Sequence, residues 1–258
     1  MKLKFFALLA TLLMLPLGAA QAASYTYSGT TDLTNIPQGN VDMQEAGLST
    51  SFEHTTYTGN AGENISSVDV YHGGMVKGTG TAQTSLTTYN NWGNPKTKTY
   101  THSYTQPKGI DANELYLAVF GYTDNNKDVS GSATFAFTKG VTSVSFIWGS
   151  IDLYNYLTVT NGNNKTYTIS GSDFLTKLGY TADQINGNAR KGISSIAGTI
   201  SAYFTLTDLA GIKSIVLTSC YDSFEVARMS AVPLPGALFL FGSALIGLSA
   251  TRRRKATL

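Results

Sequence analysis

The chain has a single cysteine, Cys220, so no disulfide can form within it. This excludes the bridge-stapled class of small secreted domains, although a chain of roughly two hundred residues buries a sizeable core without staples. The lone thiol reads most simply as a small apolar filler, with a catalytic or cross-linking thiol as the alternative. Charge is also scarce, at 13% of residues. Between residues 24 and 230 there are ten lysines and two arginines against sixteen acids, which sets that part at −4 although the whole chain is +2. Phosphate binding needs clustered Lys and Arg, and a membrane-surface domain needs a basic face, so nucleic-acid binders and basic peripheral domains are excluded.

Catalytic signatures are missing as well. The three histidines, His54, His72 and His102, form no HExxH motif, and a CxxC set is absent. Glu53-His54 and Asp69 with His72 read as surface hydrogen-bond pairs. No GxSxG elbow occurs, which leaves only a Ser-His-Asp set assembled from distant positions. Glu114, Asp152 and Glu225 lie in or beside strand-like runs, but nothing singles out the facing pair a glycosidase needs. The turn DNNKD, 124–128, offers oxygens of the kind Ca²⁺ takes, yet it lacks the DxDxDG loop. The chain is therefore read as not an enzyme, with no cofactor and no metal site, Ca²⁺ at the 124–128 turn being the alternative.

Long helical periodicity is hard to find. Short β-branched and aromatic runs recur instead: SYTYSG at 24–29, ISSVDVYH at 65–72, ELYLAVFGY at 114–122, GSATFAFT at 131–138 and TSVSFIWG at 142–149. They continue with YNYLTVT at 154–160, KTYTIS at 165–170, TISAYFTLT at 199–207, IKSIVLTS at 212–219 and YDSFEVAR at 221–228. NGNNK, 161–165, reads as a hairpin turn in which Asn-Gly supplies positive φ. With no βαβ rhythm, the pattern predicts an all-β fold: one antiparallel β-sandwich of jelly-roll or lectin-like type. The predicted helical insertion is 170–188, with Ser172 or Asp173 capping a helix through Leu178 and Thr181 capping another through Ile185. TGTAQTSLTTYNNWGNPKTKTYTHSYTQPKG, 78–108, reads as long surface loops or irregular edge strands.

Long hydrophobic runs occur only at the two ends. Residues 1–22 carry two lysines, an apolar stretch from Phe5 to Leu17 and then small residues, the pattern of a signal peptide cut after Ala22. Ala231 to Ala250 is twenty residues without a charge. As a helix it would span about 30 Å, the thickness of a bilayer core. Arg252, Arg253, Arg254 and Lys255 follow and would stay cytoplasmic as a membrane stop. Three parts result: a signal peptide 1–22, an exported β domain 23–230, and a tail 231–258.

Val232-Pro233-Leu234-Pro235, then the glycine-containing apolar span, then the basic end resembles the PEP-CTERM sorting signal, in a Pro-Leu-Pro variant with Leu234 where the family has glutamate. The resemblance implies an exosortase as partner after signal peptidase and a Gram-negative source. It also implies a precursor in the cytoplasmic membrane and delivery to the cell surface or the exopolysaccharide matrix. FIWGSIDLYNYLTVTNGNNKTYTISGSDF, 146–174, and IKSIVLTSCYDSFEVARMSAVP, 212–233, are similar to segments of one family of exosortase-dependent surface proteins. That family brings no activity with it.

An exported all-β domain makes glycan binding the leading ligand expectation, with aromatic platforms beside amide and hydroxyl groups. TTYNNWGN, 87–94, offers Tyr89 and Trp92 in a polar setting. WGSIDLYN, 148–155, offers Trp148, Asp152, Tyr154 and Asn155, although Trp148 also reads as a core residue at a strand end. The expected function is an exported surface or matrix protein associated with exopolysaccharide or biofilm. The alternatives are a passive structural protein without a small ligand and a carbohydrate-active enzyme.

Overall fold

The computed structural model describes residues 25–41, 54–58, 64–89, 92–124, 127–138 and 140–233. The expected signal peptide, Leu234-Pro235, the apolar span and Arg252–Lys255 lie outside the described residues. Alternating runs become strands because successive side chains of an extended chain point to opposite faces. Both GSATFAF and NYLTVTN bury every second residue. The first strands are β1 (Tyr25–Thr30), β2 (His54–Thr58), β3 (Ile65–Tyr71), β4 (Gly73–Val76) and β5 (Gly80–Tyr89). Next come β6 (Pro95–Tyr104), β7 (Tyr116–Asp124), β8 (Lys127–Val129), β9 (Gly131–Phe137) and β10 (Val141–Gly149). The last are β11 (Asn155–Asn161), β12 (Thr166–Ser170), β13 (Ala202–Asp208), β14 (Ile212–Ser219) and β15 (Asp222–Pro233).

The domain is all-β and built from several sheets. One runs β1-β13-β10-β15-β7-β4, with β8 added to β7; another runs β12-β11-β14-β9-β3-β2; β5 and β6 form a two-stranded sheet of their own. The two large sheets share a core. Phe146, Trp148, Phe204 and Phe224 from the first meet Val68, Phe135, Leu157 and Leu217 from the second. The first sheet is covered on its other face too, where Tyr116, Ala118, Phe120, Ile147 and Ala227 pack with Ala82 of β5. Burial on both sides explains why ELYLAVFG and SFIWG are apolar runs and not alternating ones.

Among the described residues, the apolar core covers one face of the second sheet. Its registers align Tyr71, Ser132, Thr218, Tyr156 and Ser170 in one outward row across β3, β9, β14, β11 and β12. The next row is Asp69, Thr134, Val216, Thr158 and Thr168, and the third is Ser67, Ala136, Ser214, Thr160 and Thr166.

Several expectations need correction. The stretch 78–108, of the two readings given, holds strands and not loops, and they are regular: a hairpin of two ten-residue strands. The helical insertion holds α1 (Gly171–Lys177) and α2 (Ala182–Asn186). Thr181 caps α2 in a capping box with Gln184, as its position predicts. The cap of α1 is Ser170, boxed with Asp173, not Ser172 or Asp173 themselves. In the 161–165 turn the positive φ falls on Asn164, at 60°. Gly162 is needed for another reason: a Cβ there would sit 1.9 Å from the Ala210 carbonyl oxygen. Finally, β15 continues past residue 230, so Ala231, Val232 and Pro233 are strand and not the start of a helix.

Candidate functional site

The β5–β6 hairpin carries Trp92 at its tip. Its base is fixed by aromatic packing on the first sheet. His102 stacks on Phe120 with centroids 5.1 Å apart, and Tyr100 stacks on Tyr122 at 4.1 Å. The Thr84 hydroxyl and His102 Nε2 are 2.7 Å apart in a buried pair. Burial, with the neighbouring His72 adding to it, pushes His102 down to about 4. The outer half of the arm is polar: Ser85 faces Thr99, and Thr87 faces Thr97 at 3.0 Å, all exposed. Trp92 is 87% exposed. The Tyr89 side chain lies outside the described residues.

The other expected platform does not exist as a surface. Trp148 is fully buried, stacked on Phe224 at 4.6 Å and Phe174 at 5.4 Å, with Phe204 edge-on at 5.9 Å. Its indole N–H has no hydrogen-bond partner among the described residues. Asn155 is also fully buried, and its side-chain N–H groups donate to the Ser150 and Ser223 carbonyls. Asp152 is buried; its backbone carbonyl closes against Gly171 and accepts from the Asn155 N–H at 3.3 Å. Trp148, Asp152 and Asn155 therefore stitch one end of the fold and cannot stack on or grip a sugar. Tyr154 is half-buried and meets Tyr221 edge-on at 5.5 Å.

The carboxylates are separated into structural tasks. Glu114 holds Arg228 through two 2.8 Å bonds, and those bonds keep its carboxyl below the usual range. Glu225 is fully buried under the hairpin base. One oxygen accepts from the Thr105 N–H at 3.1 Å and from the Ser223 hydroxyl, while the other has no partner among the described residues. Burial pushes Glu225 up to about 7, against the pull of its hydrogen bonds. His72 is buried, with a left-handed φ of 53°, so the expected surface pair with Asp69 is not one. Cys220 is half-buried and accepts from the Ser130 hydroxyl at 3.4 Å. No group of three or more His, Cys, Asp or Glu able to hold a metal occurs among the described residues.

A cleft of about 610 Å³ opens beside the end of β15, between Phe137, Thr142, Leu209, Gly211 and Pro233. Among the described residues no Trp, Tyr, His or carboxylate lines it. Sequence reasoning did not locate this cleft, because its walls come from three turns far apart in the chain. No described helix is long and apolar enough to cross a membrane.

No protein-family model matches the chain, and no curated protein does. Among solved structures it is matched to a family 11 carbohydrate-binding module from Clostridium thermocellum, in complex with a beta-1,3-1,4-mixed-linked tetrasaccharide. The identity is 13%, over 60% of this chain and 88% of that one, with a TM-score of 0.14. A TM-score that low does not establish a common fold.

Proposed function

We propose that the chain is an exported structural protein of the cell surface or extracellular matrix, non-catalytic, released by an exosortase acting on its tail. The junction between domain and tail carries this reading. β15 lies between β10 and β7 in the middle of its sheet and runs to Pro233, which pairs with Val141. Ala231 is buried and Val232 is partly exposed. A proline is tolerated there because a strand end asks no further N–H of it. Leu234-Pro235 complete the motif in sequence, and the apolar span 236–250 and Arg252–Lys255 follow. Val232 and Pro233, half of the Val232–Pro235 motif, are thus held in the strand. The pairing of Val232 with Ser143 and of Pro233 with Val141 places cleavage beyond Pro233 on this reading. On this reading the two facing sheets are one sandwich of jelly-roll or lectin type, and signal peptidase acts at the other end.

The reading without a small-ligand role is supported by the described walls of the cleft, where Phe137 is the one aromatic, itself buried, and no acid–base pair occurs. Mass spectrometry of released protein from a Gram-negative host with and without its exosortase tests the sorting. The expected C-terminus lies at or beyond Pro233 and depends on the enzyme. Released protein that keeps Arg252–Leu258 in both hosts would refute the reading.

A further inference from the structure

The outward face of the second sheet is chemically unusual. The fifteen positions of its three rows carry ten Ser or Thr hydroxyls, two tyrosines and one charge, that of Asp69, and Lys213 adds one exposed charge at the bulged end of β14. An ordinary soluble surface would place about four or five charges on that many positions. None of these side chains belongs to either core cluster of the described residues. The opposite sheet is treated differently, since the hairpin buries its outer side.

Strand geometry sets the hydroxyls on a grid of about 4.8 Å between strands and about 6.8 Å along them. Thr158 and Thr168 are joined across strands at 3.0 Å, and Thr160 and Thr166 at 3.4 Å, so the array is held in place before anything binds. Tyrosines mark one rim. Tyr71 and Tyr156 share a row three strands apart, roughly 14 Å. Tyr71 is 44% exposed and Tyr221, in contact with Tyr154, is 54% exposed.

We propose that this face binds an extended, neutral polysaccharide lying across the strands. The near absence of charge disfavours an ionic partner. The hydroxyl grid donates and accepts at regular intervals, as a chain of repeating sugar hydroxyls requires. The tyrosine rim supplies faces for the apolar side of pyranose rings. This deepens the structural-protein reading, on which it rests: it names the matrix component the domain touches, through a broad face and not a pocket.

The test is depletion of the full chain, purified in detergent, by insoluble cellulose, by insoluble chitin and by mixed-linkage β-glucan, with alginate as an anionic control. At least one neutral glycan should retain the wild type, and alginate should not. The double variant Thr134→Lys/Thr158→Lys should lower retention at least tenfold with an unchanged unfolding midpoint. Thr168→Lys, on the edge strand β12, serves if the double variant misfolds, and Tyr156→Ala should weaken retention several-fold. Retention by no neutral glycan would overturn the proposal, as would retention unchanged in the lysine variants. Loss on Trp92→Ala alone would overturn it in favour of the hairpin tip. Self-association abolished by the same lysine variants, without glycan retention, would overturn it in favour of a second copy of the chain. Exosortase-dependent release is scored separately in cells, so it can stand if glycan retention fails.

Discussion

Replacing Glu225 with glutamine should make the domain more tolerant of alkaline pH. The wild-type carboxyl is buried beneath the hairpin base, with no cation on it among the described residues, and is pushed from its ordinary 4.5 up to about 7. The folded state therefore holds a proton that the unfolded chain gives up at lower pH. Stability from this group is complete below pH 4.5 and is lost as pH rises through about 7. At 1.36 kcal/mol per pH unit the loss reaches roughly 3 kcal/mol above pH 8. The substituted side chain would still accept from Thr105 and Ser223, but it would place an amide where an oxygen now lacks a partner. That amide lowers stability by about 1–3 kcal/mol at every pH, so the informative quantity is the slope. Urea unfolding of wild type and Glu225→Gln between pH 4 and pH 9 measures it. The variant should gain roughly 3 kcal/mol relative to wild type across that range. His102 titrates in both proteins and cancels. Parallel pH profiles would refute a buried, protonated Glu225.

His102 works in the opposite direction: it is neutral in the fold, with its value lowered to about 4. Its contribution should be complete above pH 6.5 and fall as pH drops through about 4, seen as rising proteolysis or hydrogen exchange in β5 and β6. Trp148→Ala should cost about 3–5 kcal/mol, because a fully buried ring among Phe174, Phe204 and Phe224 leaves a cavity. A thermal melt unchanged by that substitution would contradict the core assignment. Gly162→Ala should cost about 1–3 kcal/mol by forcing the chain away from the Ala210 carbonyl, measured by urea unfolding.

Ten of the strands were legible because their signal is local. Alternation in GSATFAF or NYLTVTN lies within seven residues and needs no partner to be read. The Thr181 cap was local in the same way, three residues from its Gln184. The regular hairpin β5–β6 was not legible, since its outer half is mostly polar and its base is fixed by Phe120 and Tyr122 of β7. Trp148 reads both as a core residue at a strand end and as a sugar platform with Asp152, Tyr154 and Asn155, and burial, which the sequence does not show, decides for the core. Phe174, Phe204 and Phe224, all more than twenty residues away, close over the indole. The hydroxylated face is likewise a product of pairing. Each strand by itself shows only every second residue polar, and the order β3-β9-β14-β11-β12 sets those residues side by side. Side-chain period is fixed by the geometry of a few consecutive peptides, and that much the sequence determined alone. Strand order, register and covered face are fixed by which distant apolar surfaces exclude water together, and only the tertiary structure decides those.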